Sequence, residues 1–233
     1  MNFLQLQAQS LRSKKIEHGF LSNHTQEFAA VLADQEPKIC TMKQVHGKKL
    51  VWLSSLEKRT QEADALATSQ PNLAVGVHSA DCSPILVVAW KNEAPAGVMA
   101  VHAGWRGTAQ QIAFSALTEF MDKIPADYYQ AVIGPCIQLS QFEVGEEVVQ
   151  SFPGSLEKGL ARFLRMEEGK KKYLFDLPGE NARQLLEAAA AKSAKLELEI
   201  LPFCTVLEKD NLPSYRRDRE KAGRILSWIR FLP

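Results

Sequence analysis

Two apolar runs, residues 85–90 and 97–101, dominate the hydrophobic pattern of the chain. They are nearly continuous rather than alternating, as expected of strands covered on both faces. Residues 108–123 follow, with Ile112, Leu117, Phe120 and Met121 near a 3.6-residue period and Thr108 as N-cap. That pattern predicts one amphipathic helix, so W-R-G-T becomes a strand-to-helix turn suited to an anion. Residues 181–195, rich in Ala, Leu and Glu, predict a second helix. Further strands are predicted at residues 39–45, 50–53, 128–133, 173–177, 196–201 and 225–231. Residues 1–20 read as one or two short strands, and residues 25–32 as a short helix capped by Thr25. Residues 142–152 read as a loop entering a helix, while 62–68 and 153–172 carry no clear period. No repeat or long linker interrupts the pattern, which predicts a single α/β domain over residues 1–233.

Composition changes this picture little. The chain is 45% hydrophobic and 24% charged with a net charge of +1, so no strong field favours nucleic acid or an acidic membrane. Lysines 170–172 read as a solvated loop. No run approaches the length of a membrane span, and the N-terminus lacks the apolar core of a signal peptide. Cys40, Cys82, Cys136 and Cys204 are dispersed without a C-x-x-C pair, which fits reduced thiols and a cytoplasmic location. No exposed apolar stripe is evident beyond the core helices, so a monomer is expected.

Three residues at strand ends carry the candidate chemistry. His46 lies in K-Q-V-H-G, Cys82 in S-A-D-C-S-P and His102 in V-H-A-G-W-R-G. Two imidazoles and a thiolate can hold a zinc and leave its fourth position open, the pattern of a catalytic site. Without metal, Cys82 could instead be a nucleophile with His102 as base and Asp81 or a carbonyl orienting the ring. Arg106, Arg216 and Arg217 are phosphate-clamp candidates, because the guanidinium fork matches phosphate oxygens. Trp105 and Tyr215 could stack on a flat base, and Gln44 joins the substrate candidates beside His46. Asp64 and Glu143 are possible acid/base carboxylates, and His78 could join the site.

The motifs K-Q-V-H-G, A-D-A-L-A-T, S-A-D-C-S-P-I-L, V-H-A-G-W-R-G-T, I-G-P-C-I, F-E-V-G and C-T…S-Y-R-R-D…G-R occur in this order from Gln44 to the C-terminus. They resemble the YfiH/laccase-domain family, also called multicopper polyphenol oxidase or peptidoglycan editing factor. The resemblance implies a layered α/β/β/α sandwich related to a cysteine-hydrolase fold. It also implies metal ligands at His46, Cys82 and His102, with zinc expected and copper the lesser alternative. The implied activity is phosphorolysis of adenosine, inosine and methylthioadenosine, with deamination of adenosine, so the implied partners are a purine nucleoside and phosphate. On this resemblance Cys82, His46, His102 and Asp81 are the catalytic candidates, and Arg106, Arg216, Arg217, Gln44 and Trp105 the substrate contacts. Two alternatives remain: a metal-independent cysteine amidase acting on peptidoglycan precursors, and a copper-dependent polyphenol oxidase. The second is disfavoured, because blue and trinuclear copper centres need many imidazoles and the chain has five His. The chain departs from the family pattern in a short region upstream of Gln44, and in His78-Ser79, where Arg-Thr is more usual.

Overall fold

The computed structural model describes residues 5–23, 38–56 and 62–233. The helix expected at 25–32 lies outside them. Fourteen strands form among the described residues: β1 Gln5–Leu6, β2 Ile16–Asn23, β3 Ile39–Cys40, β4 Leu50–Leu53, β5 Ala65–Thr68, β6 Ala74–Ser79, β7 Ser83–Lys91, β8 Ala94–Ala103, β9 Tyr128–Ile133, β10 Glu143–Gly145, β11 Ala161–Glu167, β12 Lys170–Phe175, β13 Leu196–Ile200 and β14 Arg224–Phe231. The helices are α1 Trp105–Ala109, α2 Ile112–Lys123, α3 Glu146–Gln150, α4 Leu177–Ala191 and α5 Tyr215–Asp218.

A six-stranded sheet, in the order β13-β9-β7-β8-β5-β4, faces a five-stranded one, β1-β2-β14-β6-β3. The period of two in β7 explains the uniform apolar run. Ile85, Val87 and Ala89 pack under α2 and α4. Leu86, Val88 and Trp90 meet Val75 and Val77 of β6 and Ile225 and Ile229 of β14 in the other sheet. Each fully buried aliphatic side chain there contributes about 1.5–3 kcal/mol, so this seam anchors the strands whose ends carry the site. Among the described residues, helices cover only the outer side of the six-stranded sheet. The chain is thus α/β, and the expected outer helical layer on the five-stranded sheet is not among them.

Several expectations are corrected. Strand β3 stops at Cys40, and the chain reaches His46 as a loop in which His46 has a left-handed φ of 58°. Residues 65–68 form a fully buried strand between β4 and β8, with Leu66 in the core between the sheets and Ala65 and Ala67 in the core under the helices. The single helix over 108–123 is two: α1 ends at Ala109, and Gln111, with φ 62°, resets the axis before α2. Thr108 is therefore no N-cap; its Oγ1 lies 3.0 Å from the Gly104 carbonyl and 3.1 Å from Asn181 Oδ1. Helix α4 starts earlier than expected, because Asp176 caps it by accepting the Gly179 N–H at 2.9 Å.

A third sheet, β10-β12-β11, fills the stretch without a period. Lysines 170–172 belong to β12 rather than a loop, and Lys171 pairs with Glu146 at 2.9 Å. In β11, Phe163 and Met166 are exposed, an apolar feature the pattern did not disclose.

His18 is buried between β2 neighbours, and its Nε2 accepts the Ala8 N–H at 3.0 Å. Burial outweighs nearby Glu199 in setting its pKa, which lies below the ordinary 6.5. Below that pH the unfolded chain takes up a proton that the folded chain refuses, so stability falls as pH drops through 6.5. The urea midpoint should fall between pH 7 and pH 5, and the fall should be smaller in His18→Gln. An identical pH dependence in the variant would contradict this.

Candidate active site

Strand register brings the three separated motifs together. Pro84 of β7 pairs with His102 of β8, and Ser83 with Ala103, which sets Cys82 beside Gly104. Ala65 of β5 pairs with Val101, which sets Asp64 beside His102. The ligand atoms of His46, Cys82 and His102 lie within 4.8 Å of one another. The two imidazoles meet edge-on at 4.9 Å between centroids.

Glycine makes this approach possible. A Cβ on Gly104 would stand 2.8 Å from Cys82 Sγ and 2.9 Å from His46 Cδ2. A Cβ on Gly107 would stand 2.8 Å from the Gly47 carbonyl oxygen. The glycines of H-A-G-W-R-G thus admit the Q-V-H-G loop against α1.

Asp64 holds both histidines. Its carboxylate has no solvent exposure. It lies 2.8 Å from His102 Nδ1 and accepts the backbone N–H groups of Val45, His46 and Gly47 at 3.2, 3.0 and 2.7 Å. Hydrogen bonds to a charged group are worth about 1.5–3 kcal/mol each, so four of them offset the loss of water around the carboxylate. Burial pushes its pKa up, but His102 and the N–H of Gly47 push harder, and the result lies below the ordinary value. The ring of His102 is thereby turned with Nε2 toward Cys82 and His46.

The thiol and imidazole perturb each other. Burial alone would raise the Cys82 pKa, yet the adjacent His102 and then His46 bring it down to about 6. Burial alone would lower that of His102, yet Cys82 and Asp64 raise it to about 9. Thiolate beside imidazolium is the resulting state without metal, and a thiolate with two imidazoles is the donor set of a metal site with an open position. The residues present therefore fit a metal ion.

These residues open into a cavity of about 810 Å³. Lys43, Gln44, His78, Trp105, Arg106, Phe142, Tyr215 and Arg216 line it. The other expected residues divide. Arg106 lies over the Trp105 ring at 4.4 Å, so one face of that ring is already taken. Helix α1 is a single turn, too short for its dipole to hold the anion expected at this turn. Arg216 donates from Nη1 to the Glu143 carbonyl at 2.8 Å and lies 5.4 Å from the Phe142 ring.

Four of the expected side chains are engaged by the frame, two of them, Gln44 and Asp81, at the cavity wall. Gln44 uses both ends of its amide on the His78 backbone, at 2.6 and 2.7 Å. Asp81 does not orient His102. Its carboxylate accepts the Thr205 hydroxyl and the Arg216 N–H, each at 2.6 Å. Arg217 is no phosphate clamp: its donors bind the carbonyls of Thr205, Val206 and Leu212 and the Asp218 carboxylate. Glu143 pairs with Arg165 at 2.6 Å.

Reading the motifs alone missed Asp64 as the residue that orients His102. Its place in A-D-A-L-A, among residues small enough for a buried strand, was the available signal.

A family model described as multi-copper polyphenol oxidoreductase laccase matches residues 17–232. The chain belongs to this YfiH/laccase-domain family. A purine nucleoside phosphorylase from Bacteroides thetaiotaomicron is 36% identical over 184 residues, covering 76% of this chain and 66% of the relative. Adenosine deaminase RL5, from an unknown prokaryotic organism, is 33% identical over 175 residues, covering 74% of this chain and 64% of the relative. The chain thus spans just under two thirds of the length of these two curated relatives. The crystal structure of the hypothetical protein YfiH of Bacillus licheniformis aligns with a TM-score of 0.75 at 24% identity, covering 94% of this chain and 93% of that one. That likeness establishes the YfiH-like α/β fold.

Two outcomes check the site. In chelator-treated protein, the rate of Cys82 alkylation by iodoacetamide should rise with a midpoint near pH 6, while Cys40, Cys136 and Cys204 stay slow because they are buried. A midpoint above pH 8 would contradict the thiolate–imidazolium pair. Asp64→Asn should weaken zinc binding by about 10–100-fold in a chelator competition, the usual effect of losing a ligand's orienting partner. Unchanged affinity would remove Asp64 from the site.

Proposed function

We propose that this protein is a purine nucleoside phosphorylase that uses zinc held by His46, Cys82 and His102, with adenosine deamination as a second activity of the same site. The observation that carries this reading is the convergence of those three side chains at a cavity whose lining includes Arg106, a guanidinium with no hydrogen-bond acceptor among the described residues. Likeness to a purine nucleoside phosphorylase and to an adenosine deaminase supports the nucleoside class. A nitrogen and sulfur donor set suits zinc better than the many-imidazole centres of a copper oxidase.

When bound, zinc would supply Lewis acidity and lower the pKa of water at its open position. Arg106 holds the phosphate, and the free donors of Arg216 assist it. In phosphorolysis a phosphate oxygen bonds to C1′ of the ribose and the C1′–N9 bond breaks. The electron pair leaves with the base, and the phosphate proton ends on that base. In deamination the oxygen of water adds at C6 and ammonia leaves. Asp64 keeps His102 Nδ1 occupied, which leaves Nε2 as the atom that would hold the metal. Phe142 and Tyr215 offer apolar and aromatic surface for the base, and Asp81 keeps Arg216 near Cys82.

The line Cys82–His102–Asp64 supports a second reading, a metal-independent hydrolase in which the Cys82 thiolate attacks an amide such as that of a peptidoglycan precursor. His46, a third donor that a nucleophile–base pair does not require, favours the metal reading. Iodoacetamide before and after chelation separates the two. Protection of Cys82 until metal is removed supports zinc, and equal labelling supports the hydrolase.

Incubated with inosine, metal-analysed protein should release hypoxanthine only when phosphate is present. Cys82→Ala and His102→Ala should each lower that rate by more than about 100-fold, the scale on which catalytic groups act. Base release that survives both substitutions would refute the site.

A further inference from the structure

The cavity carries more positive charge than a neutral nucleoside and one phosphate ion use. Lys43, Arg106, Arg216, Arg219 and Arg224 line it, and Asp81 is the carboxylate among the described lining residues. Both Asp81 oxygens are already engaged by Thr205 and the Arg216 N–H. Lys43 is offset by Glu62 at 2.7 Å. The guanidinium of Arg219, like that of Arg106, has no hydrogen-bond acceptor among the described residues. Among the described residues, the Arg224 guanidinium binds the Ala222 and Gly223 carbonyls, both from Nη1, which leaves its other N–H groups open there.

These cations come from two walls. Arg106 extends from α1, at the end of the six-stranded sheet. Arg219 stands on the short turn after α5, with a left-handed φ of 53°, and Arg224 opens β14 of the five-stranded sheet. Ile225 pairs with Ser79, so Arg224 lies opposite Ala80, close along the chain to Cys82. Both Arg219 and Arg224 lie near enough to Tyr215 to act on its hydroxyl. At about 810 Å³ the cavity lies in the upper part of the range for small-molecule sites, roughly 300–1,000 Å³. Size therefore leaves room for a second anionic group on the substrate.

We infer that the substrate class of this site is a nucleoside 5′-monophosphate, with Arg219 and Arg224 holding the 5′-phosphate while Arg106 holds the attacking phosphate. The inference rests on the nucleoside reading above. The reaction balances as before: a phosphate oxygen bonds to C1′, the C1′–N9 bond breaks, and the phosphate proton ends on the base. The products are ribose 1,5-bisphosphate and the free base. Guanidinium groups facing an empty concave wall attract anions at long range and bind phosphoryl oxygens in their fork, which a 5′-hydroxyl does not exploit.

The test is calorimetric titration of the full chain with inosine 5′-monophosphate and with inosine, in phosphate-free buffer. The monophosphate should bind on the order of tenfold tighter or more, the scale of one charge-assisted contact. That preference should collapse in Arg219→Ala and be partly restored in Arg219→Lys. Arg219 and Arg224 are exposed, so both variants should fold, and Arg224→Gln provides an independent second variant. Equal dissociation constants, or a preference that survives both Arg219→Ala and Arg224→Gln, would overturn the inference. Turnover of inosine and of inosine 5′-monophosphate with phosphate is followed in parallel. If inosine is cleaved and the monophosphate binds no better, this inference alone fails. If neither is cleaved but the Arg219-dependent preference stands, the catalytic reading fails and this site remains.

Discussion

The buried carboxylate of Asp64 is the interaction on which the site depends. It is a charge without solvent, and it remains charged because three backbone N–H groups and one imidazole surround it. Each partner is also a piece of the active site. The N–H groups belong to the loop that carries His46 in a left-handed conformation, and the imidazole is His102. One carboxylate therefore sets the position of one histidine through the backbone and the rotation of the other through its ring. Satisfying the charge and assembling the site are the same physical event.

The surrounding frame repeats this logic on a larger scale. Apolar packing fixes the strands, because both faces of β7 and β8 are covered, one by helices and one by the second sheet. Packing does not reach the strand ends, where loops expose backbone groups that need partners. Polar anchors act there. Asp81 ties the Cys82 turn to Thr205 and Arg216, Gln44 ties the His46 loop to β6, and Asn181 and Gln184 on α4 hold α1. Arg217 closes the C-terminal segment on three carbonyls and so leaves Arg216 facing the cavity. Adjacent arginines with the same chemistry thus have opposite roles, set by which acceptors lie within reach.

Much of the architecture was legible in local pattern. The continuous apolar runs of β7 and β8 and the periodic segments of α2 and α4 follow from burial on two faces or on one. Errors fell where tertiary contacts override local preference. Residues 108–123 look like one helix, yet the crowding of Gly107 against Gly47 and the bonds from α4 to Thr108 favour a break at Gln111. Residues 65–68 look undecided because alanine marks no period, yet pairing with β4 and β8 makes them a strand that sends Leu66 to one core and Ala65 and Ala67 to the other. Residues 161–172 show no clear period because a small sheet with one face in water keeps its lysines and glutamates on the surface.

The sequence by itself determined the class of fold, the candidate donors His46, Cys82 and His102, and the pair of glycines beside His102. These are properties of residue type and near neighbours along the chain. Only the tertiary structure decided which carboxylate serves His102, which arginines face the cavity, and that the three donors meet at all. Those outcomes depend on strand register between segments far apart in the chain, where a shift of one residue turns every side chain to the opposite face. Asp64 and Asp81 are alike as residues, each beside an alanine in a short polar-apolar motif. Their separate roles, one under His102 and the other under Arg216, arise from the pairing of β5 with β8 and from the Cys136–Cys204 β-bridge that brings Thr205 to Asp81.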